Sequence, residues 1–194
     1  SIYNNEDKLV DKITTNEEGI ASTNLIYGKY KIVQENTQLG YRKVKDFTIS
    51  INNTNDKIIN LEDERIIANL KLIKLDYDSK KPIVLSNTEF KIYDLLDNKY
   101  LTINNKDIFT TDKNGEINIT IKGGKYRVEE IKSPIGYVLS DNIEFTIDEN
   151  TKLINNMFTL NIYNKKQYGS IEITKIGNLI NNNQISLSNV YFNI

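Results

Sequence analysis

The sequence predicts an all-β chain of tandem antiparallel β-sandwich repeats. Three observations lead there. Apolar and polar residues alternate with period two along short runs, turn-forming clusters separate the runs, and the same motifs return about a hundred residues later. No stretch carries the spacing of an amphipathic helix.

The repeat is read from three pairs of motifs that share one offset. Thr14-Thr15-Asn16-Glu17-Glu18-Gly19 matches Thr110-Thr111-Asp112-Lys113-Asn114-Gly115. Gly28-Lys29-Tyr30-Lys31-Ile32 matches Gly124-Lys125-Tyr126-Arg127-Val128, and Gly40-Tyr41 matches Gly136-Tyr137. The tail repeats too: Ile171-Glu172-Ile173-Thr174-Lys175 is similar to Leu70-Lys71-Leu72-Ile73-Lys74, and Leu187-Ser188-Asn189 matches Leu85-Ser86-Asn87. The head Ile2-Tyr3-Asn4 matches Ile92-Tyr93-Asp94. Residues 67–166 therefore read as one whole repeat. Residues 1–66 read as a repeat without its first two strands, and residues 167–194 as the first two strands of a third.

The strands follow in order from their alternation. Phe47, Ile49 and Ile51 form one inward stripe; Leu70 and Leu72 another. Ile117 and Ile119, Tyr126 and Val128, Phe145 and Ile147, and Leu160 and Ile162 continue the series. Asn114-Gly115, Gly123-Gly124 and Pro134-Ile135-Gly136 punctuate it as turns. Short strands at this spacing suit sandwiches.

Composition narrows the function. The 194 residues carry 25 basic against 26 acidic side chains, a balance that does not point to nucleic acid or an anionic membrane. No apolar run is long enough to span a bilayer, and the chain reads as a mature or excised fragment without a signal peptide. There is no Cys and no His, so no disulfide, no thiol chemistry, and neither the commonest metal ligand nor the commonest general base. No metal site and no cofactor are expected. No nucleophile–base pair or phosphate loop supports an enzyme.

Three strands end their inward stripe on a polar residue: Leu70, Leu72, Lys74; Tyr126, Val128, Glu130; Leu160, Ile162, Asn164. If these strands are neighbours, the three polar residues meet at the edge of the core. A desolvated Lys becomes a nucleophile. A Glu in the same pocket, pushed toward its protonated form, hydrogen-bonds the Asn amide oxygen and shuttles the proton. Attack on the Asn side chain then releases ammonia and leaves a Lys–Asn isopeptide bond, once per molecule. The competing reading is an unbonded Lys74–Glu130 ion pair.

Lys74 in L-x-L-x-K-x-D, the T-T-D-x-x-G turn, G-K-Y-R-V-E-E, S-P-I-G-Y and the closing I-Y-N-K-K together resemble the Cna-B-type (collagen-adhesin B-region, SpaA-like) repeats of Gram-positive surface proteins and pilins. The resemblance runs over essentially the whole chain. It implies tandem transthyretin-like Greek-key β-sandwiches at the bacterial cell surface, in the cell wall. It implies that Lys74 and Asn164 are the bonding residues and Glu130 the catalytic acid. The first repeat departs from the pattern: Gln34 stands where Glu130 stands, Glu35 faces outward, and Asp63 takes the Asn164 position with no lysine of its own.

Lys175 is the counterpart of Lys74 in the third repeat. Either the two ends are cuts through repeats, or the tail of one molecule completes the head of the next and pairs Lys175 with Asp63. The missing acid at Gln34 weighs against a covalent form of the second. The function expected is a non-enzymatic stalk or spacer of an adhesin, pilus or fibre. Its partners are neighbouring repeats, other copies head to tail, or host extracellular matrix through a tip domain elsewhere. The alternative is a module that binds a host protein or glycan through loops such as Asn104–Asp107 and Asn178–Gln184.

Overall fold

The described part of the computed structural model, residues 1–178 and 184–193, is built of strands and connecting turns. In chain order the strands are β1 (Ile2–Asn4), β2 (Leu9–Asp11), β3 (Gly28–Ile32), β4 (Tyr41–Arg42), β5 (Phe47–Ile51) and β6 (Glu64–Arg65). They continue with β7 (Ile67–Asp76), β8 (Glu89–Asp94), β9 (Lys99–Tyr100), β10 (Phe109–Thr110) and β11 (Glu116–Lys122). The last are β12 (Gly124–Lys132), β13 (Ile143–Ile147), β14 (Met157–Asn164), β15 (Ile176–Asn178) and β16 (Gln184–Ser186).

From β7 to β14 the chain makes a two-layer sandwich. One sheet has the order β10-β8-β12-β13 with β9 attached to β8; the other has the order β11-β7-β14. The core lies between them because period-two alternation sends every second side chain inward. Ala68, Leu70 and Leu72 of β7 meet Phe90 and Ile92 of β8, Tyr126 and Val128 of β12, and Ile162 of β14. Each of the Leu, Ile, Val and Phe side chains among them contributes about 1.5–3 kcal/mol on burial. Tyr126, Phe145 and Phe158 stack in a row, with ring centroids 5.5 and 5.3 Å apart. The Tyr126 hydroxyl donates to the Lys122 carbonyl at 2.9 Å, and burial pushes its pKa up to about 12.

Two local features fix the register around Lys74. The Asp112 carboxylate accepts the N–H groups of Asn114 and Glu116, which folds the turn before β11. Gly115 follows at φ +75°, and a Cβ there would stand 2.1 Å from the Ile83 carbonyl oxygen. Only glycine fits. Lys74 N–H then reaches the Gly115 carbonyl at 3.1 Å, while the Lys74 carbonyl accepts from Ile83 N–H at 2.9 Å.

The structure departs from the expected pairing at one place. Antiparallel pairing was expected throughout, but β14 runs parallel to β7 over its whole length, from Met157↔Asn69 to Asn164↔Asp76. These are the first and last strands of the repeat. The chain between them passes through the opposite sheet and re-enters from the same end, as parallel neighbours require.

The head forms a single four-stranded sheet, β2-β1-β3-β5. Its Tyr30↔Ile49 pairing between β3 and β5 mirrors Tyr126↔Phe145 between β12 and β13. Residues 20–26 and 56–63, which align with β11 and β14, take no strand conformation, and Ile20, Ile26, Ile58 and Leu61 stay exposed. In the tail β15 and β16 pair as a hairpin. Ile171–Lys175 was expected to be a strand like Leu70–Lys74, but it is not paired. The reason is contextual: β7 is hydrogen-bonded on both sides, by β11 and β14, and the tail segment has neither neighbour. Of the loop Asn178–Gln184, residues 179–183 lie outside the described part.

Candidate crosslink site

Lys74, Glu130 and Asn164 meet at one end of the core of the 67–166 sandwich. Lys74 continues the inward stripe of β7, and Asn164 that of the adjacent β14. In the parallel register Ile162 stands opposite Lys74 and Asn164 opposite Asp76, so the two polar side chains are diagonal neighbours on one face. Glu130 comes from β12, in the other sheet, and closes the site across the sandwich. The trio is sealed from solvent rather than placed on a rim: the side chains of Lys74 and Glu130 are 1% and 0% exposed, and Asn164 is 0% exposed.

One carboxylate joins the other two residues. Glu130 Oε1 is 3.0 Å from Lys74 Nζ, and Oε2 accepts from Asn164 Nδ2 at 2.6 Å. The Val138 carbonyl accepts from the same Nδ2 at 2.8 Å, and Ser140 N–H donates to Glu130 Oε2 at 2.6 Å. Two acceptors around Nδ2 fix the orientation of the amide. The carboxylate therefore touches the amide nitrogen, whereas the sequence reading placed it on the amide oxygen. The Val138 carbonyl accounts for the difference, since it can only accept.

The site is electrostatically poor as it stands. Lys74 Nζ lies within ion-pair distance of Glu130 but is not aligned for a hydrogen bond, and Asn164 Oδ1 has no donor. The Phe90 ring walls the ammonium at 5.2 Å from its centroid. Burial lowers the Lys74 pKa, and the neighbouring Glu130 charge only partly opposes this. A buried donor and a buried acceptor without good partners are each unfavourable.

A cluster beneath the site braces it. The Asp76 carboxylate accepts from Ser79 N–H at 2.7 Å, from Asp78 N–H at 3.1 Å and from the Tyr137 hydroxyl at 3.0 Å. Lys166 Nζ is 3.7 Å away. The Ser79 backbone hydrogen bond, with the others, holds the Asp76 pKa down at about 2. Tyr77 N–H donates to the Asn164 carbonyl at 2.9 Å. Sequence reasoning missed Val138, Ser140 and Asp76, although the Lys-x-Asp spacing already put Asp76 on the face of Lys74.

The head keeps the same frame with its polarity exchanged. Val44 N–H donates to Gln34 Oε1 at 3.0 Å, as Ser140 N–H does to Glu130. Gln34 Nε2 donates to Asp63 Oδ2 at 2.7 Å, where Asn164 donates to Glu130. Thr37 also donates to Asp63. Glu35 is partly exposed and pairs with Lys12. Lys175 lies on the exposed segment before β15, and the Asp63 expected to pair with it is that of another molecule. No group of three or more His, Cys, Asp or Glu among them is placed to hold a metal ion.

The family model described as SpaA, prealbumin-like fold domain, matches residues 1–65 and again residues 68–161. The chain belongs to this family. The trypsin-resistant surface T6 protein of Streptococcus pyogenes serotype M6 is 36% identical over 86 residues, 43% of this chain and 14% of that protein. The Bacillus anthracis TIE protein superposes with a TM-score of 0.57 at 25% identity, covering 85% of this chain and 30% of that one. The minor pilin GBS52 of Streptococcus agalactiae is similar over 84% of this chain and 71% of its own, at 21% identity and a TM-score of 0.47. The chain thus spans a small part of the T6 and TIE proteins. The fold is an all-β sandwich, as the repeat pattern predicts, and of the prealbumin-like kind that the resemblance implies.

Proposed function

We propose that this chain is a run of structural spacer repeats from a Gram-positive surface protein or pilus, and that the 67–166 repeat locks itself with a Lys74–Asn164 isopeptide bond. The observation that carries the reading is the single buried carboxylate of Glu130 between Lys74 Nζ and Asn164 Nδ2. Membership in a family that includes surface and pilus proteins supports the extracellular setting.

The chemistry follows from the placement of atoms. Glu130 takes a proton from Lys74 through Oε1 and leaves a neutral amine. The amine attacks Asn164 Cγ, forming a C–N bond. Glu130 Oε2, already at the amide nitrogen, returns the proton to Nδ2 as the C–Nδ2 bond breaks. As the amide forms, the attacking nitrogen sheds its second proton to the Glu130 carboxylate, ammonia leaves, and Glu130 ends protonated. The Val138 carbonyl holds Nδ2 in place throughout. The product replaces a buried, poorly satisfied charge pair by a neutral amide, which favours completion.

The bond ties the first strand of the repeat to the last. Load entering through β7 and leaving through β14 then bypasses the sheets between them, as a spacer under tension requires. The head lacks an acid at Gln34, so its Asp63 has no comparable proton shuttle toward Lys175 or any other lysine. Tandem mass spectrometry of a tryptic digest tests the reading. A branched peptide joining Lys74 to Asn164 is expected; recovery of both residues only in linear peptides would refute it.

A further inference from the structure

The two repeats meet at a joint with a definite chemistry. β4 pairs with β6 through Tyr41↔Arg65, and Ile66 N–H donates to the Gly40 carbonyl at 2.9 Å. The Ile66 carbonyl accepts from Gly123 N–H at 2.7 Å, and the Ile66 side chain is buried in the core of the complete repeat. Arg65 donates through Nη2 to the Gly123 carbonyl at 2.9 Å while its guanidinium lies 4.7 Å over the Tyr41 ring. Gly40 and Gly123 touch backbone to backbone: a Cβ on Gly40 would stand 2.3 Å from the Gly123 oxygen, and one on Gly123 would stand 2.7 Å from Gly40 Cα. Lys43 and Glu149 add an ion pair at 3.3 Å. Glycines on both sides let the Gly123-Gly124 turn seat against the Gly40 loop.

The far end of the complete repeat carries the same device. Gln167 N–H donates to the Gly136 carbonyl at 2.8 Å, as Ile66 does to Gly40. Tyr137 bridges Lys166 as Tyr41 pairs with Arg65, and Val138 N–H donates to the Lys165 carbonyl at 3.0 Å. Gly136 has φ +83°, close to the +88° of Gly40. Elsewhere the chain fills left-handed positions mostly with Asn, as at Asn98, Asn104 and Asn155. At Gly136, however, no heavy atom lies within 4 Å of where a Cβ would stand, and Ile135 beside it is 95% exposed. Gly136 shares with Gly40 a φ wider than the 50–70° of the left-handed Asn residues, and the open space beside it leaves room for a backbone to approach as Gly123 approaches Gly40.

We infer that Gly136, Tyr137 and Lys166 form a docking socket for a further repeat of this same kind. The socket receives that repeat's glycine turn as Gly40, Tyr41 and Arg65 receive Gly123-Gly124. Lys166 supplies the cation that Arg65 supplies, as a single-point donor instead of a fork. Successive repeats would then be set at one fixed angle, and a longer array would be a stiff, regular spacer. The inference does not depend on the isopeptide bond.

Spin-label distances test it, and the absence of Cys makes labelling simple. Labels at Glu17→Cys and Lys113→Cys, matching exposed turns, report the existing joint in the full chain. An extended chain, residues 1–167 followed by a second copy of 67–166, carries Lys113→Cys in both copies and reports the new joint. The expected result is two narrow distance distributions with the same centre. Gly136→Val is expected to shift or broaden the second and leave the first alone. Because valine is strained at positive φ, Gly123→Val in the appended copy alone is expected to do the same from the other side. A broad or displaced distribution in the unsubstituted extended chain overturns the socket, as does a narrow one that neither valine moves.

Discussion

At the residue scale the account rests on a lysine that burial has made a poor cation. Its lowered pKa gives two pH effects of the same sign. Before crosslinking, the unfolded chain holds more protons on Lys74 than the folded one does between the two pKa values. Stability of the uncrosslinked fold therefore rises with pH in that window. The amine fraction rises as well, so ammonia loss by freshly synthesised chain is expected to speed up from neutral to alkaline pH. Asp76 acts with the same sign in a more acidic window: its folded pKa of about 2 is below the ordinary carboxylate value, so its stabilisation is present above the ordinary value and lost as pH falls toward 2. Asp76→Asn is expected to flatten the acid limb of an unfolding curve over that range; an unchanged limb would remove Asp76 from the explanation. The alternation of β7, β12 and β14 made the trio legible in the sequence. Val138 and Ser140 were not, because they act through backbone groups of an irregular loop, which no residue pattern encodes.

At the element scale the turns were legible and the sheet partners were not. Asp112 and Gly115 announce their turn by residue type, and the structure adds the reason at Gly115, the Ile83 carbonyl. Gly115→Ala is expected to cost at least about 1–3 kcal/mol in chemical denaturation, from positive φ and the contact together. Ile162→Ala, which empties a buried position beside Lys74, is expected to cost about 2–5 kcal/mol. Alternation identifies which residues share a face, but it is the same for parallel and antiparallel neighbours. That is why β14 against β7 was open until the fold was seen. The tail Ile171–Lys175 makes the complementary point: a strand pattern without a partner strand on either side does not become a strand.

At the scale of the whole molecule, the proposed bond between β7 and β14 and the joint between repeats would together set the mechanical character. Closing a loop of about ninety residues removes unfolded-state entropy equivalent to about 4–5 kcal/mol. Glu130→Gln, which keeps the shape of the side chain and removes the proton shuttle, is expected to lose that amount and to melt at a lower temperature than the parent. The repeat offset was visible in the sequence because turn motifs recur intact. The joint was not, because Gly40, Arg65 and Gly123 are far apart in sequence and only folding brings them together. The most direct test of the central claim is the intact mass of the denatured full chain beside Lys74→Ala. The account predicts a parent lighter than its sequence by one ammonia and a variant at its full calculated mass. A parent at its full calculated mass would contradict it, and Lys74, Glu130 and Asn164 would then be a buried polar cluster without a covalent tie.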